Sequence, residues 1–325
     1  MARRAAGGRG SEPRRGGTLS RTTELAAAYS QARPRLVQIA YAVLGSVAEA
    51  EDVVSEGWLR LAEADRRDPV RDVEAWATVT VARAALDVLR SARARRETYV
   101  GPWLPEPLLT SASDPTSLSL TADPAERVTL DETVSLALLV VLETLTPAER
   151  TAWVLHDLFA LPFGEVAAAV GRSPAAVRQL AARARRHVAA AAPRVQVDVV
   201  EHAAVVRAFT AAATAGDLKA LLAVLDPEVT LTSDGGGQVT AARRPVHGAD
   251  RVARFLLGVA ARATPGQRLA ALTVNAAPGL GLFDDGQLVA VAALTVAGGR
   301  VHRVDLVLAP DKLAAAQAGL RGERS

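Results

Sequence analysis

Apolar residues recur along the front of the chain at the three-and-four spacing of an α-helix. Leu36, Ile39, Ala40 and Val43 form one stripe, and Val53, Val54, Trp58 and Leu61 form a second. A third follows Trp76, Val79, Thr80, Arg83, Leu86 and Leu89, with Pro69 just ahead of it, and predicts a helix over 73–96. Residues 22–98 therefore read as a unit of three helices. Five prolines then fall within 99–124, and no helix passes through them unbroken, so this stretch is expected to be an interdomain linker. Helical pattern resumes over 125–143. Beyond it, Thr146-Pro147-Ala148-Glu149 matches an N-cap, a proline at the first helical position and an early acid.

The pattern changes after Pro193. Helical stretches over 198–215 and 217–225 precede β-branched, apolar runs at 229–232, 269–274, 288–296 and 301–308, punctuated by glycine turns. The expected fold class is multidomain: two all-α units, 22–98 and 125–192, and an α+β domain over 195–313. Residues 1–21 mix Arg, Gly, Ser and Pro with few large apolar side chains and are expected to be a disordered basic arm. Residues 314–325 are taken as a tail.

Composition narrows the chemistry. Half of the 325 residues are apolar, enough for packed cores, and the absence of cysteine excludes a disulfide scaffold, a thiolate metal site and a cysteine nucleophile. No apolar run approaches the ~18 residues of a membrane helix, and no apolar segment follows the N-terminal arginines, so neither a span nor a signal peptide is expected. The five histidines lack metal-ligand spacing, so no metal and no cofactor are expected. Charge is sorted along the chain: 83–96 holds five arginines against Asp87, and 174–187 holds four arginines and no acid. In contrast, 44–76 carries nine acids against four arginines, and 195–313 balances eleven cations with eleven acids.

Residues 163–180 carry the most mechanistic signal. Phe163, Val166, Ala167 and Val170 form an apolar stripe, Gly171 permits a turn, and Ser173 can cap a second helix that starts at Pro174. On that helix Val177, Leu180, Ala181, Ala184 and Val188 face inward, leaving Arg178, Gln179, Arg183, Arg185 and Arg186 for the basic side. Two short helices with a free basic face describe a helix-turn-helix, which offers such a face to the DNA major groove.

These residues resemble the extracytoplasmic-function sigma factors of bacterial RNA polymerase, which contain the regions called two and four. The likeness covers Arg33-Pro34-Arg35-Leu36, Ala50-Glu51-Asp52-Val53-Val54, Trp58-Leu59-Arg60-Leu61 and Ala85-Leu86-Asp87-Val88-Leu89-Arg90, then 146–187. The resemblance implies that Asp52, Glu56 and Trp58 dock on core polymerase, at the clamp helices of its largest subunit. It implies that Arg83, Asp87, Arg90 and Arg93 engage the promoter −10 element, and the basic helix from Pro174 the −35 element beside the flap region. Tyr99-Val100-Gly101-Pro102-Trp103-Leu104-Pro105-Glu106-Pro107 resembles the linker signature of members with a fused NTF2/SnoaL-like cone. Asp234-Gly235-Gly236-Gly237 and Pro310-Asp311-Lys312-Leu313 resemble that extension's own signatures, from which Gln238 and Ala309 depart. The resemblance implies a cytoplasmic, non-enzymatic transcription factor, monomeric when free, whose extension regulates it and leaves open an unidentified small ligand.

Two other functions compete. A helix-turn-helix repressor with a ligand-sensing domain would need no polymerase contact, and the acidic helix over 48–64 argues against it. SnoaL-like domains also include acid–base cyclases and isomerases, for which Asp234, His247, Asp284, Asp285, His302 and Asp305 are the candidates.

Overall fold

The computed structural model describes residues 15–96, 101–111, 134–191 and 198–322. Three helices open it: α1 (Arg15–Leu44), α2 (Val47–Arg67) and α3 (Val73–Arg96). Gly45, at φ 73°, ends α1 in the left-handed conformation that glycine adopts freely, and the Ser46 side chain caps α2 by accepting from the Glu49 N–H. The helices cross closely at Gly57, where a Cβ would stand 2.6 Å from the Tyr29 hydroxyl and 3.0 Å from Val81.

The second helical unit comprises α4 (Leu136–Leu142), α5 (Pro147–Trp153) continued by a π turn, α6 (Phe163–Val170) and α7 (Pro174–Ala191). Thr146 and Glu149 form a reciprocal capping box at α5, as the sequence spacing predicts. The α+β unit holds α8 (Val199–Ala215), α9 (Leu218–Val224), α10 (Ala249–Ala260) and α11 (Pro310–Gly322). Its strands are β2 (Leu225–Asp234), β3 (Val246–His247), β4 (Gln267–Val274), β5 (Ala277–Asp284), β6 (Gln287–Ala297) and β7 (Arg300–Val307). They join β1 (Leu109–Ser111) from the linker in one sheet of order β1-β4-β5-β6-β7-β2-β3, antiparallel except where β2 runs beside β7.

Side-chain alternation gives the sheet two apolar faces. Leu280, Leu294 and Val304 pack with Val205, Phe209, Leu221 and Val252 in a core internal to the α+β unit. Leu272, Val291 and Val307 face the other way, into a core shared with α1 to α3, Leu104, α4 and Leu313 of α11. A third core joins Ile39, Ala82 and Leu86 of the first unit to Leu155, Val166, Val170 and Val177 of the second. The two helical units and the α+β unit therefore close on one another.

Several boundaries differ from expectation. Helix α1 begins at Arg15, inside the expected arm, and Arg21 is tied to Asp65 and to the Val70 carbonyl at 2.8 Å, so this part of the arm is anchored. Residues 1–14 lie outside the described residues. The expected linker contributes β1, pairing Leu109 with Val274, because its backbone completes the edge of β4. The expected tail is the end of α11, whose Ala316 and Leu320 are buried. Strand β5 escapes a hydrophobic reading because Gly279 and Gly281 interrupt it; a Cβ at either would come within 2.6 Å of Val274 or 2.5 Å of Leu272. The expected positions 97–100, 112–133, 192–197 and 323–325 also lie outside the described residues.

Leu313→Ala should lower the stability of the sheet by about 2 to 5 kcal/mol, since a buried side chain of α11 is lost from the shared core. Denaturant titration checks this, and an unchanged midpoint would contradict the packing.

Candidate functional site

The helix-turn-helix is built as its sequence demands. Gly171 closes α6 at φ 69°, and the Ser173 hydroxyl accepts from the Ala176 N–H at 3.3 Å. Val177, Ala181 and Ala184 of α7 are buried, while Arg178, Gln179, Arg183, Arg185 and Arg186 are exposed on the other side. The Arg178 guanidinium lies 5.2 Å from the Phe163 ring centre, and that ring stacks on His156. Arg183 pairs with Glu149 at 3.0 Å, and Arg185 with Asp157. Burial raises the Glu149 carboxyl, but bonds from Thr146 and the Arg183 charge prevail and hold it below its ordinary value.

On α3, Arg83, Asp87 and Arg90 share an exposed face at helical spacing, with Arg90 paired to Asp87 at 3.2 Å. The Arg83 guanidinium donates to the Ala168 carbonyl of α6, so one residue of this face is engaged by the helix-turn-helix itself. Arg35 also spans the two units, pairing with Glu74 at 3.0 Å and donating to the Phe159 carbonyl at 3.4 Å. Nothing is described of the Arg93 side chain.

On α2, Asp52 and Glu56 are exposed together, but Trp58 turns inward against Tyr29, with ring centres 5.6 Å apart. The apolar residue beside the two acids is instead Leu59, 65% exposed. Its spacing of three from Glu56 and seven from Asp52 is the signal that finds it.

The linker is clasped from both sides. Asp234 accepts from the Leu104 N–H at 2.8 Å and pairs with Lys312 at 2.7 Å; Lys312 also donates to the Leu104 carbonyl and lies 4.0 Å from the Trp103 ring centre. Gly235 and Gly236 let the chain turn here, where a Cβ would meet the Val239 carbonyl oxygen at 2.1 Å and Ala309 at 3.0 Å respectively. Gly237 and Pro310 are exposed, Asp311 bonds Gln238 at 3.0 Å, and Leu313 is buried. On the opposite side, the Glu106 N–H donates to the Gly45 carbonyl at 2.8 Å and its carboxylate accepts from the Val47 N–H at 2.9 Å. Gly45 is also where Trp103, Pro105 and Arg150 converge; a Cβ there would lie 3.0 Å from Trp103. Arg150, almost fully buried, donates twice to the Ala42 carbonyl at 3.2 Å and pairs with Glu143. The segment Trp103 to Pro107 stands out in the sequence, whereas Gly45 and Arg150 meet it only through long-range packing.

Comparison with known proteins settles the family. Residues 28–95 match sigma-70 region 2 and residues 135–188 match sigma-70 region 4. The chain is 46% identical over 235 residues to the ECF RNA polymerase sigma factor SigJ of Mycobacterium tuberculosis, covering 72% of each. It is 36% identical over 304 residues to the probable ECF RNA polymerase sigma factor SigI of that species, covering 94% of this chain and all of SigI. This chain belongs to the ECF sigma factors. The crystal structure of M. tuberculosis SigJ superimposes with a TM-score of 0.70 at 37% identity, covering 90% of this chain and 99% of SigJ. The C-terminal α+β extension of this sigma factor fits the SigJ type.

The six acid–base candidates in this sigma factor have separate surroundings. Asp234 is spent on the linker; Asp305 is buried against Arg303 at 2.7 Å, and its carboxyl is raised by burial; His302 bonds the Ala297 carbonyl at 3.1 Å. His247 contacts Thr230, and Asp284 and Asp285 sit at the β5–β6 turn.

Burial also raises the Glu106 carboxyl, against the pull of the Val47 N–H, the Ser46 hydroxyl and Lys312. Such a group stabilises the docked form below its ordinary pKa, and the contribution is lost as pH rises through the raised value. Glu106→Gln should remove this fall in stability; thermal unfolding of both proteins across that window checks it, and parallel curves would contradict it.

Proposed function

We propose that this sigma factor reads the −10 element with the α3 face of Arg83, Asp87, Arg90 and Arg93 and the −35 element with the exposed face of α7. Polymerase docking falls to Asp52, Glu56 and Leu59 of α2, with Trp58 bracing the helix from within, and the described form is the resting, closed one. The observation that carries this reading is the engagement of Arg83 by Ala168, backed by the third core, which puts the two DNA-reading units in contact. Elements centred near −10 and −35 are separated by about 85 Å of B-DNA at ~3.4 Å per base pair. Region 2 must therefore part from region 4 before both elements can be bound at once.

The C-terminal domain opposes that parting. It holds the linker through Asp234 and Lys312, and the linker in turn touches the end of α1 and the start of α2. The protein acts in the cytoplasm, as a monomer until it meets core polymerase, and its effect is exerted by binding.

Reconstitution with core polymerase tests the reading: the wild type should co-elute with core enzyme and support promoter-specific transcription, whereas a repressor would do neither. Arg178→Ala combined with Arg183→Ala and Arg186→Ala should weaken promoter binding. Each lost phosphate contact should flatten the salt slope by about 1, and each lost base contact should cost about 1 to 3 kcal/mol. Binding equal to wild type would remove α7 from the interface.

A further inference from the structure

Hairpin turns usually face water, and Ala276 in the turn between β4 and β5 does, but its neighbour Asn275 points inward. Val274 pairs with Ala277, and both intervening residues have positive φ, 46° at Asn275 and 61° at Ala276, as a two-residue type I′ turn requires. Asn275 is only 1% exposed. Its amide nitrogen donates to the Tyr41 hydroxyl at 2.9 Å and to the Val134 carbonyl at 3.1 Å, and its amide oxygen accepts from the Leu108 N–H at 3.1 Å. Its backbone N–H donates to the Leu108 carbonyl at 2.9 Å, and Tyr41 passes the chain on to the Glu106 carbonyl at 2.8 Å. One side chain thus bonds α1 of region 2, the linker and the residue leading into region 4.

The turn itself does not call for these bonds. Asn, Asp and Gly all tolerate left-handed backbone, and the turn places no demand on a side-chain donor. The two donors serve the closed packing instead. Separating the regions would strand buried polar partners on both sides, which is costly until water replaces them.

We infer that Asn275 is a second pin, beside the Asp234–Lys312 clasp, by which the C-terminal domain holds regions 2 and 4 together, an inference that rests on the closed-form reading above. It is a positioning residue that works through Tyr41, Leu108 and Val134.

The absence of native cysteine permits clean spin labelling at Ser55→Cys on α2 and Ala190→Cys on α7, both exposed positions. Asn275→Gly keeps the turn and deletes the amide; it should leave the circular dichroism intact and raise the fraction of long interlabel distances several-fold. Asn275→Asp keeps the turn and the acceptor without the donors, and should do the same. Tyr41→Phe should widen the distances of the wild type more than those of Asn275→Gly, because the two groups share a bond. A wild-type distance distribution in both Asn275 variants would overturn the pin. Failure of the wild-type protein to direct core polymerase to a promoter would instead overturn the sigma-factor reading, whatever the distances show.

Discussion

The ion pair between Asp234 and Lys312 is the contact on which the arrangement depends, because its two members bond the N–H and the carbonyl of Leu104. The Asp234 side chain is fully buried and Lys312 is 16% exposed, so water does little for either charge. Such a pair endures only when its remaining hydrogen-bonding capacity is filled. Here Asp234 also accepts from Leu104 and Gly236, and Lys312 adds the Leu104 carbonyl and the Trp103 ring. Removing either partner would leave the other charge buried alone, at a cost of about 3 to 5 kcal/mol. The linker is therefore held by its backbone, with Trp103 and Leu104 adding apolar contact.

From that clasp the constraint spreads in two directions. The strand formed by Leu109 to Ser111 extends the sheet of the C-terminal domain, while Glu106 reaches the Gly45–Val47 junction of region 2. Arg150 brings region 4 to the same junction by bonding the Ala42 carbonyl. Three parts of the chain thus converge on one short stretch between α1 and α2. Loosening of any one exposes polar groups belonging to the other two, which makes closure cooperative.

The local chemistry of the helices was legible in the sequence. Helix α3 spans Val73–Arg96, as periodicity predicts, and the capping box at Thr146, the turn at Gly171 and the buried stripe of Val177, Ala181 and Ala184 all follow from short-range rules. What escaped is long-range. Trp58 packs inward on Tyr29 as its place in the apolar stripe of α2 predicts, and its outward docking role came from the resemblance alone. Asn275 carries no motif, since its partners lie more than a hundred residues away. The end of α11 is short and polar enough to pass for a tail until the sheet supplies a surface for Leu320.

The most direct measurement is transcription by a protein that cannot open. Cysteines placed one on α3 and one on α6, bridged by a cleavable thiol-reactive linker, would hold regions 2 and 4 in contact in a chain with no other cysteine. Bridging should abolish promoter-specific transcription with core polymerase, and cleaving the bridge should restore it. A bridged protein that transcribes as well as the cleaved one would contradict the requirement that the two regions part.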